Sequence, residues 1–310
     1  MYLIDHVPPK FADQLGCSQQ AAQLLWHGIT ASTRRQYYTA CAAFQAFCFR
    51  CFGPNHGCLP ASGLTLMEWI AELSLRGRSY HTIRHRLTIL NSWHSDLGLD
   101  VSTFSERHVR QMLRGFKHLY GIRSCSQKLP ITLPILHSLL EVLGQDFSLT
   151  SNKCATFAAA FTLTYSCLLH CGEFTWSVFD PSSTLQVSSV CWFQDHAVVR
   201  LPRSKTDPFS QGTDLVVPHL DSPACPFTAL LAVCVSRSPR SPLFGLGDSS
   251  APFTRSQFIA VLRSLLKQLG LPASAYASHS FRQGAASWAS HIGAPAEVIQ
   301  ELGWWNSDCY

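Results

Sequence analysis

The sequence predicts a mainly α-helical protein with a small antiparallel β-sheet, an α+β arrangement in two domains. Three observations support this fold class. Apolar residues recur at three- and four-residue steps through the first part of the chain, as in helices that pack on a core. Short β-branched stretches are concentrated between residues 184 and 217. Between these patterns, residues 121–134 are rich in Gly, Ser and Pro, which is typical of an interdomain linker.

The first domain, residues 1–125, is predicted to be a bundle of four helices joined by mostly short loops. Ser32 and Thr33 can cap the first of them, whose apolar stripe includes Tyr37 and Phe44. The predicted helices cover residues 34–49, 66–75, 80–97 and 106–120.

The second domain, residues 126–310, is predicted to be a helical domain with a small sheet, and its helices come before and after the strands in the sequence. The predicted helices cover residues 133–143, 156–169, 255–269, 280–291 and a segment after Pro295. The predicted strands cover residues 184–190, 197–201 and 214–217.

Composition excludes several classes of protein. With 46% hydrophobic and 14% charged residues in 310, the chain is too apolar to be intrinsically disordered. Its richest apolar run, residues 154–169, contains several Thr and Ser and is shorter than the roughly 20 residues of a membrane span. The first residues lack the basic-then-apolar order of a secretory signal. We therefore expect a soluble protein without a membrane partner, nuclear or otherwise intracellular.

Charge is unevenly distributed along the chain. Residues 1–128 contain 14 Lys and Arg against 7 Asp and Glu, whereas residues 129–310 contain 10 against 12. A basic first part beside a near-neutral second part indicates contact with a polyanion, although an ordinary solvated basic surface has the same composition.

The 13 cysteines are an odd number scattered along the chain, which does not indicate a disulfide framework. Cys48, Cys51 and Cys58, with His56 nearby, are the one group worth considering as a zinc site. Phenylalanines interleave with these cysteines, which favours buried thiols on an aromatic-rich helix. No metal and no other cofactor is expected.

Four polar motifs in the second domain indicate a site. His279 and Arg282 are three residues apart at a predicted helix start, so they can project from one face. Each motif also has an ordinary structural explanation: a capping histidine, a surface arginine, a basic hairpin turn or core tryptophans. The motifs are residues 168–174 (LLHCGEF), 203–209 (RSKTDPF), 279–282 (HSFR) and 303–306 (GWWN).

In this order and spacing, the last three motifs, with the extension to Tyr310, resemble the tyrosine recombinases. The resemblance covers nearly the whole chain, because the basic helical first domain is similar to the core-binding domain of that family. The second domain is then similar to the catalytic domain, and the closest branch is that of eukaryotic mobile elements of the DIRS and Crypton type.

This resemblance implies metal-free phosphoryl transfer on double-stranded DNA, in DNA recombination and integration. In the family, a tyrosine hydroxyl attacks a phosphodiester and gives a 3′-phosphotyrosine and a free 5′ hydroxyl. Positive donors stabilise the phosphate oxygens as charge develops. Members of the family commonly assemble as tetramers on DNA, so homo-oligomerisation on DNA is also implied.

The family's catalytic roles map onto individual residues here. Lys205 matches the hairpin lysine that protonates the leaving oxygen. His279 matches the histidine that hydrogen-bonds the phosphate, and Arg282 matches the second phosphate-clamping arginine. Trp304 matches the position that holds His or Trp, with Trp305 as a substitute.

Two departures predict impaired catalysis. Glu173 fits a family glutamate, but the arginine expected three residues before it is replaced by His170. An imidazole is mostly neutral at pH 7 and lacks the guanidinium fork. The nucleophilic tyrosine is expected near position 313, whereas the sequence ends at Tyr310. Tyr310 lies about one helical turn earlier and is a weaker alternative as the nucleophile.

DNA contact in the first domain is assigned to exposed arginines on or near its helices, for which a solvated helix face is the alternative. These residues are Arg34, Arg35, Arg76, Arg78, Arg84 and Arg86. Because affinity depends on many phosphate contacts, DNA binding is expected to survive the loss of catalytic groups. The rival predictions are a domesticated, non-catalytic DNA-binding or scaffold protein and a pseudogene product without a settled role.

Overall fold

The helices and strands of the chain fall into two groups, each around its own hydrophobic core. The structure, a computed structural model, describes residue 7 and residues 11–121, 128–146, 148–202, 204, 211–235, 237–247 and 251–303. The chain divides into two units, Met1–Cys125 and Ser126–Tyr310.

The first unit is helical. Its helices are α1 (Phe11–Leu15), α2 (Gln19–His27), α3 (Ala31–Phe52), α4 (Gly63–Leu75), α5 (Tyr80–Asp96) and α6 (Arg107–Tyr120), with a short 3₁₀ turn at Ser102–Ser105. The side chains of Ser62 and Ser79 accept hydrogen bonds from backbone N–H groups in the first turns of α4 and α5, which fixes where these helices begin.

The core of the first unit is rich in aromatic rings. Phe44 and Phe47 of α3 pack on Trp69 of α4, and the Phe47 and Trp69 ring centroids are 4.9 Å apart. The four predicted helices correspond to α3 to α6. Helices α1 and α2 were not predicted, and they bury Phe11 and Trp26 in a small separate cluster.

The second unit combines helices with one three-stranded sheet. Its helices are α7 (Leu133–Gly144), α8 (Ser151–Ser166), α9 (Cys171–Phe174), α10 (Pro226–Cys234), α11 (Arg255–Gln268), α12 (His279–His291) and α13 (Ala296–Gly303), with 3₁₀ turns at Val187–Ser189 and Ala273–Ala275. Helix α8 is buried along its middle, where Phe161 stacks on Phe281 of α12 and meets Phe258 of α11 edge to face.

The sheet has the order β1-β2-β3, with β1 (Val190–Trp192), β2 (His196–Leu201) and β3 (Thr213–Pro218) all antiparallel. Val199 in the middle strand pairs with Val190 on one side and Leu215 on the other. The predicted strand over 184–190 is wrong in position. Residues Val187–Ser189 form a 3₁₀ turn, held by a hydrogen bond from the Gln186 backbone N to Ser189 Oγ at 3.2 Å, so pairing starts only at Val190.

Helix α12 is fixed against the chain segment that precedes α7. The Ile131 backbone N donates to the Ser280 carbonyl at 2.8 Å, and the Leu129 N donates to the Ala275 carbonyl at 2.8 Å. At Gly284 a Cβ atom would lie 1.6 Å from the Ile131 carbonyl oxygen, so only glycine permits this approach. This contact sets the position of the helix that carries Arg282.

In the described part of the chain, none of the helices combines the length and the apolar composition needed to cross a bilayer.

Candidate functional site

The segment after α8 turns sharply before it presents His170. Leu168 has φ 52°, in the left-handed region that a branched side chain seldom adopts. His170 is half-buried and lies at the N-cap position of α9, and its backbone N donates to Glu173 Oε2 at 2.6 Å. The Glu173 N donates in return to the His170 carbonyl at 2.9 Å. The two residues therefore hold each other in a fixed arrangement at the first turn of this helix.

Glu173 also connects this turn to the polar segment that follows β2. It is 8% exposed, and its second oxygen, Oε1, accepts a hydrogen bond from Ser204 Oγ at 2.6 Å. Ser204 is itself buried and directly precedes Lys205 in the sequence. One buried carboxylate thus joins two of the motifs singled out in the sequence.

Arg282 joins the same turn to the end of α13. Its Nη1 donates to the Leu168 carbonyl, and its Nη2 donates to the Gly303 carbonyl at 2.6 Å. Gly303 directly precedes Trp304. Burial lowers the pKa of Arg282 to about 10, and the negative charge of Glu173 opposes this decrease, so the guanidinium remains charged at neutral pH.

The burial of Arg282 differs from the expectation of an arginine open to a phosphate. Its side chain is 1% exposed, and its two terminal nitrogens are bonded to main-chain carbonyls. In this conformation Arg282 supplies positive charge and holds two motif segments together, rather than presenting an open fork.

His279 is exposed and begins α12, three residues before Arg282. The following residue, Ser280, is fully buried, and its Oγ accepts a hydrogen bond from the Ala277 backbone N at 3.0 Å. The helix start is therefore fixed, while the imidazole faces solvent.

The predicted site is brought together in part. Glu173 and Arg282 link the segment around His170, the residue before Lys205, the helix of His279 and the residue before Trp304. Lys205, Trp304 and Tyr310 themselves lie outside the described residues. The described part of the site contains the charges of Glu173 and Arg282, and the segments that these two residues link carry the imidazoles of His170 and His279.

The three cysteines considered as zinc ligands differ in their exposure. Cys48 is buried in the core, Cys51 is exposed and Cys58 is half-buried. Over the described ranges, no three His, Cys, Asp or Glu side chains are grouped so as to hold a metal ion.

The six arginines assigned to DNA contact occupy different environments. Arg34 and Arg86 are half-buried rather than exposed. The Arg34 guanidinium donates to the carbonyls of Trp26 and Ile29 and lies 3.7 Å from the centre of the Trp26 ring. It ties α2 to α3, and we correct its assignment to that structural role. Arg35, Arg78 and Arg84 are exposed.

Arg76 and Arg86 lie at a local concentration of positive charge. Arg76 pairs with Glu72 at 2.5 Å. Burial, and then the charges of Arg78 and Arg76, lower the pKa of Arg86. Because these positive charges repel one another, a bound anion would stabilise this surface.

A further basic surface, on α6, was missed from the sequence. We call it the α6 basic face. Its members are exposed and lie three or four residues apart on one side of the helix: Arg107, Arg110, Arg114 and Lys117. No ion pair with a carboxylate engages these four cations within the described residues, although Lys117 Nζ lies 4.5 Å from the centre of the Tyr80 ring. Their regular spacing is the signal that sequence reasoning could have used.

The fold of this chain can be compared with those of known proteins. No family model and no curated protein sequence matches the chain. Solved structures do match its fold. The Tn1549 transposon integrase in complex with a circular intermediate DNA has a TM-score of 0.60 at 13% identity, over 96% of this chain and 91% of that chain.

Two further structures agree with this similarity. The XerH site-specific recombinase bound to a palindromic difH substrate has a TM-score of 0.60 at 11% identity, over 96% of this chain and 82% of that chain. A lambda integrase dimer bound to a COC′ core site has a TM-score of 0.53 at 12% identity, over 97% of this chain and 74% of that chain. The chain therefore has the mainly helical fold, with a small antiparallel sheet, of the tyrosine recombinases and integrases, and the predicted fold class is confirmed.

Proposed function

We propose that this chain binds double-stranded DNA as a protein of the tyrosine-recombinase type and takes part in DNA recombination and integration. One observation carries the proposal. The buried pair Glu173 and Arg282 gathers main-chain and side-chain atoms from four sequence-distant segments, the same segments that carry the recombinase motifs. The three structural neighbours named above were determined with DNA bound, which supports the same partner here.

The chemistry proposed for the site follows from its side chains. Arg282 supplies a positive charge near the phosphate oxygens, and His279 supplies a hydrogen bond from an exposed imidazole. Lys205 would protonate the leaving oxygen, Trp304 would line the phosphate pocket, and a tyrosine hydroxyl would attack in line. The family's spacing places that tyrosine near position 313, and Tyr310 is the weaker alternative as the nucleophile.

We further propose that strand cleavage is impaired. The position of the family's first arginine holds His170, whose half-buried imidazole offers no fork for two phosphate oxygens. By analogy with the loss of one oxyanion donor, this replacement lowers the rate by on the order of 10²-fold.

DNA affinity is assigned to the first unit, as a core-binding domain over residues 1–125, with residues 126–310 as the catalytic-like domain. The surfaces that support this assignment are the arginines near the start of α5 and the α6 basic face, because phosphate contacts supply most non-specific affinity. Descent from a mobile element of the DIRS or Crypton type, assembly of several copies on DNA and a nuclear or other intracellular location belong to the same proposal.

Electrophoretic mobility shift with a duplex of about 30 base pairs tests this function. The proposal predicts a shifted complex whose affinity falls steeply between about 50 and 200 mM salt, as counterion release requires. Absence of a complex at the lowest salt, or binding that salt does not weaken, would contradict it.

The second candidate function is a non-catalytic DNA-binding or scaffold protein, which the replacement at His170 favours. Trapping of a covalent complex on a nicked suicide substrate separates the two. If the chain is an impaired enzyme in which Tyr310 is the nucleophile, His170→Arg raises adduct formation by about 10²-fold. If it is a scaffold, neither the parent chain nor the variant forms an adduct while both bind DNA.

A further inference from the structure

A cavity of about 300 Å³ lies within the first unit, apart from the site described above. Its walls come from α3, from the last turn of α5 and from the two helices that precede α3. This volume is at the lower end of the range for pockets that take small ligands.

Five of the ten described residues that line the cavity are aromatic. Trp26 and Trp93 line it from α2 and α5, and Tyr37 and Tyr38 line it from neighbouring positions on α3. Tyr38 is 48% exposed, so one ring lies at the mouth while Trp26, at 7%, lies in the interior. A half-exposed ring at the mouth of a cavity favours a flat ligand ring that can stack on it.

The cavity contains one charge of each sign. The guanidinium of Arg34 is engaged by two carbonyls and by the Trp26 ring, so its charge is held in place. The carboxylate of Asp96 is half-buried, and within the described part of the chain no hydrogen-bond donor contacts it. Burial raises the pKa of Asp96, and the charge of Arg34 opposes that rise.

These charges restrict the ligand. A cationic ligand would be repelled by Arg34, which already covers the face of the Trp26 ring. An anionic ligand would be repelled by Asp96, whose carboxylate is partly desolvated. The ligand that fits this lining is a neutral flat ring whose edge carries N–H groups that can donate hydrogen bonds to the Asp96 carboxylate.

We propose that this cavity binds the guanine base of an unpaired nucleotide. Guanine can stack on the Tyr38 ring at the cavity mouth, and its ring N–H and exocyclic amine can donate two parallel hydrogen bonds to the Asp96 carboxylate. Adenine, cytosine and thymine each offer one such donor at most on that edge. In linking the first unit to a nucleotide, this inference rests on the proposed DNA binding.

The nucleotide's phosphate has a partner outside the cavity. Arg35 follows Arg34 on α3 and is exposed, at the edge of the helix face that lines the cavity. A base stacked on Tyr38 would leave its phosphate on the side of α3 that carries this arginine.

Isothermal titration calorimetry of the full chain with dGMP tests the inference. We expect saturable binding that is about tenfold tighter for dGMP than for dAMP, because one charged hydrogen bond is lost with adenine. Asp96→Asn should abolish this preference for dGMP. Tyr38→Ala, at a half-exposed position, should weaken the binding of both nucleotides. Glu68→Gln, at an exposed carboxylate on α4 outside the cavity, should change neither.

Competition identifies the source of the base. Two thymine oligonucleotides are compared, one with a single guanine and one without. If only the guanine-containing oligonucleotide displaces dGMP, the cavity binds a guanine of single-stranded DNA. Retention of dGMP assigns it to a free nucleotide. No saturation at millimolar dGMP, equal affinity for dGMP and dAMP, or an unchanged preference in Asp96→Asn would overturn the inference. Duplex binding, measured separately through the α6 basic face, reports on the proposed function alone.

Discussion

Replacement of two central arginines of the α6 basic face, as Arg110→Gln with Arg114→Gln, tests which surface meets DNA. Both side chains are exposed, and neither has an ion-pair partner in the described part of the chain. Their loss should therefore leave folding intact and remove phosphate contacts. The apolar side of the same helix, with Val109 and Phe116 buried, is not altered.

The expected magnitude follows from counterion release. Each phosphate contact on duplex DNA contributes about 0.9 to the slope of log affinity against log salt concentration. Two lost contacts should reduce the slope by about 1.8, which at 0.1 M salt corresponds to about 60-fold weaker binding. Fluorescence anisotropy of a labelled duplex, measured at several salt concentrations, gives both quantities.

The matched control removes the same charge from the second unit. Arg263→Gln with Lys267→Gln changes two exposed cations one helical turn apart on α11. If the α6 face binds DNA, the slope of this control stays close to that of the parent chain. Equal slopes for the α6 variant and the parent, or equal losses in the two double variants, would refute the assignment.

Two further predictions concern stability. Gly284→Ala places a Cβ 1.6 Å from a backbone carbonyl and should cost about 3 kcal/mol or more in chemical denaturation, whereas Gly144→Ala, with open space around it, should change stability by less than about 1 kcal/mol. Burial lowers the pKa of His94, whose neutral Nε2 accepts from the Ala61 backbone N at 2.9 Å. Its contribution is therefore present above the unfolded pKa of 6.5 and is lost as pH falls below that value, by at most about 1.4 kcal/mol per pH unit. His94→Gln should flatten the dependence of unfolding free energy on pH between 7 and 5, as measured by chemical denaturation at several pH values.

Helices were the most predictable part of the fold because their apolar period is regular. The helix predicted over residues 80–97 is observed as Tyr80–Asp96. The helix predicted from residue 34 begins earlier, at Ala31, because Thr30 rather than Ser32 or Thr33 acts as the N-cap. A capping residue cannot be chosen from sequence when several Ser and Thr are adjacent.

The site was predictable in its segments but not in its contacts. The order of motifs indicated which segments would meet, and Glu173 and Arg282 do connect them. The partners of Arg282 are main-chain carbonyls of Leu168 and Gly303, and nothing in the type of these residues signals that role. The strained backbone at Leu168 likewise depends on tertiary packing rather than on local preference.

The aromatic cavity shows the same limit. Its wall is built from α2, α3 and α5, which are separated in the sequence, and α2 was not predicted at all. The residues that surround Asp96 therefore could not be predicted from the sequence.

The most direct test of the central claim combines binding and cleavage on one duplex that carries a nick beside the scissile phosphate. We predict that the chain shifts this duplex on a native gel at low salt and that no covalent protein–DNA adduct accumulates on a denaturing gel. A strong adduct with the parent chain that disappears in Tyr310→Phe, or no shift at any salt concentration, would contradict it.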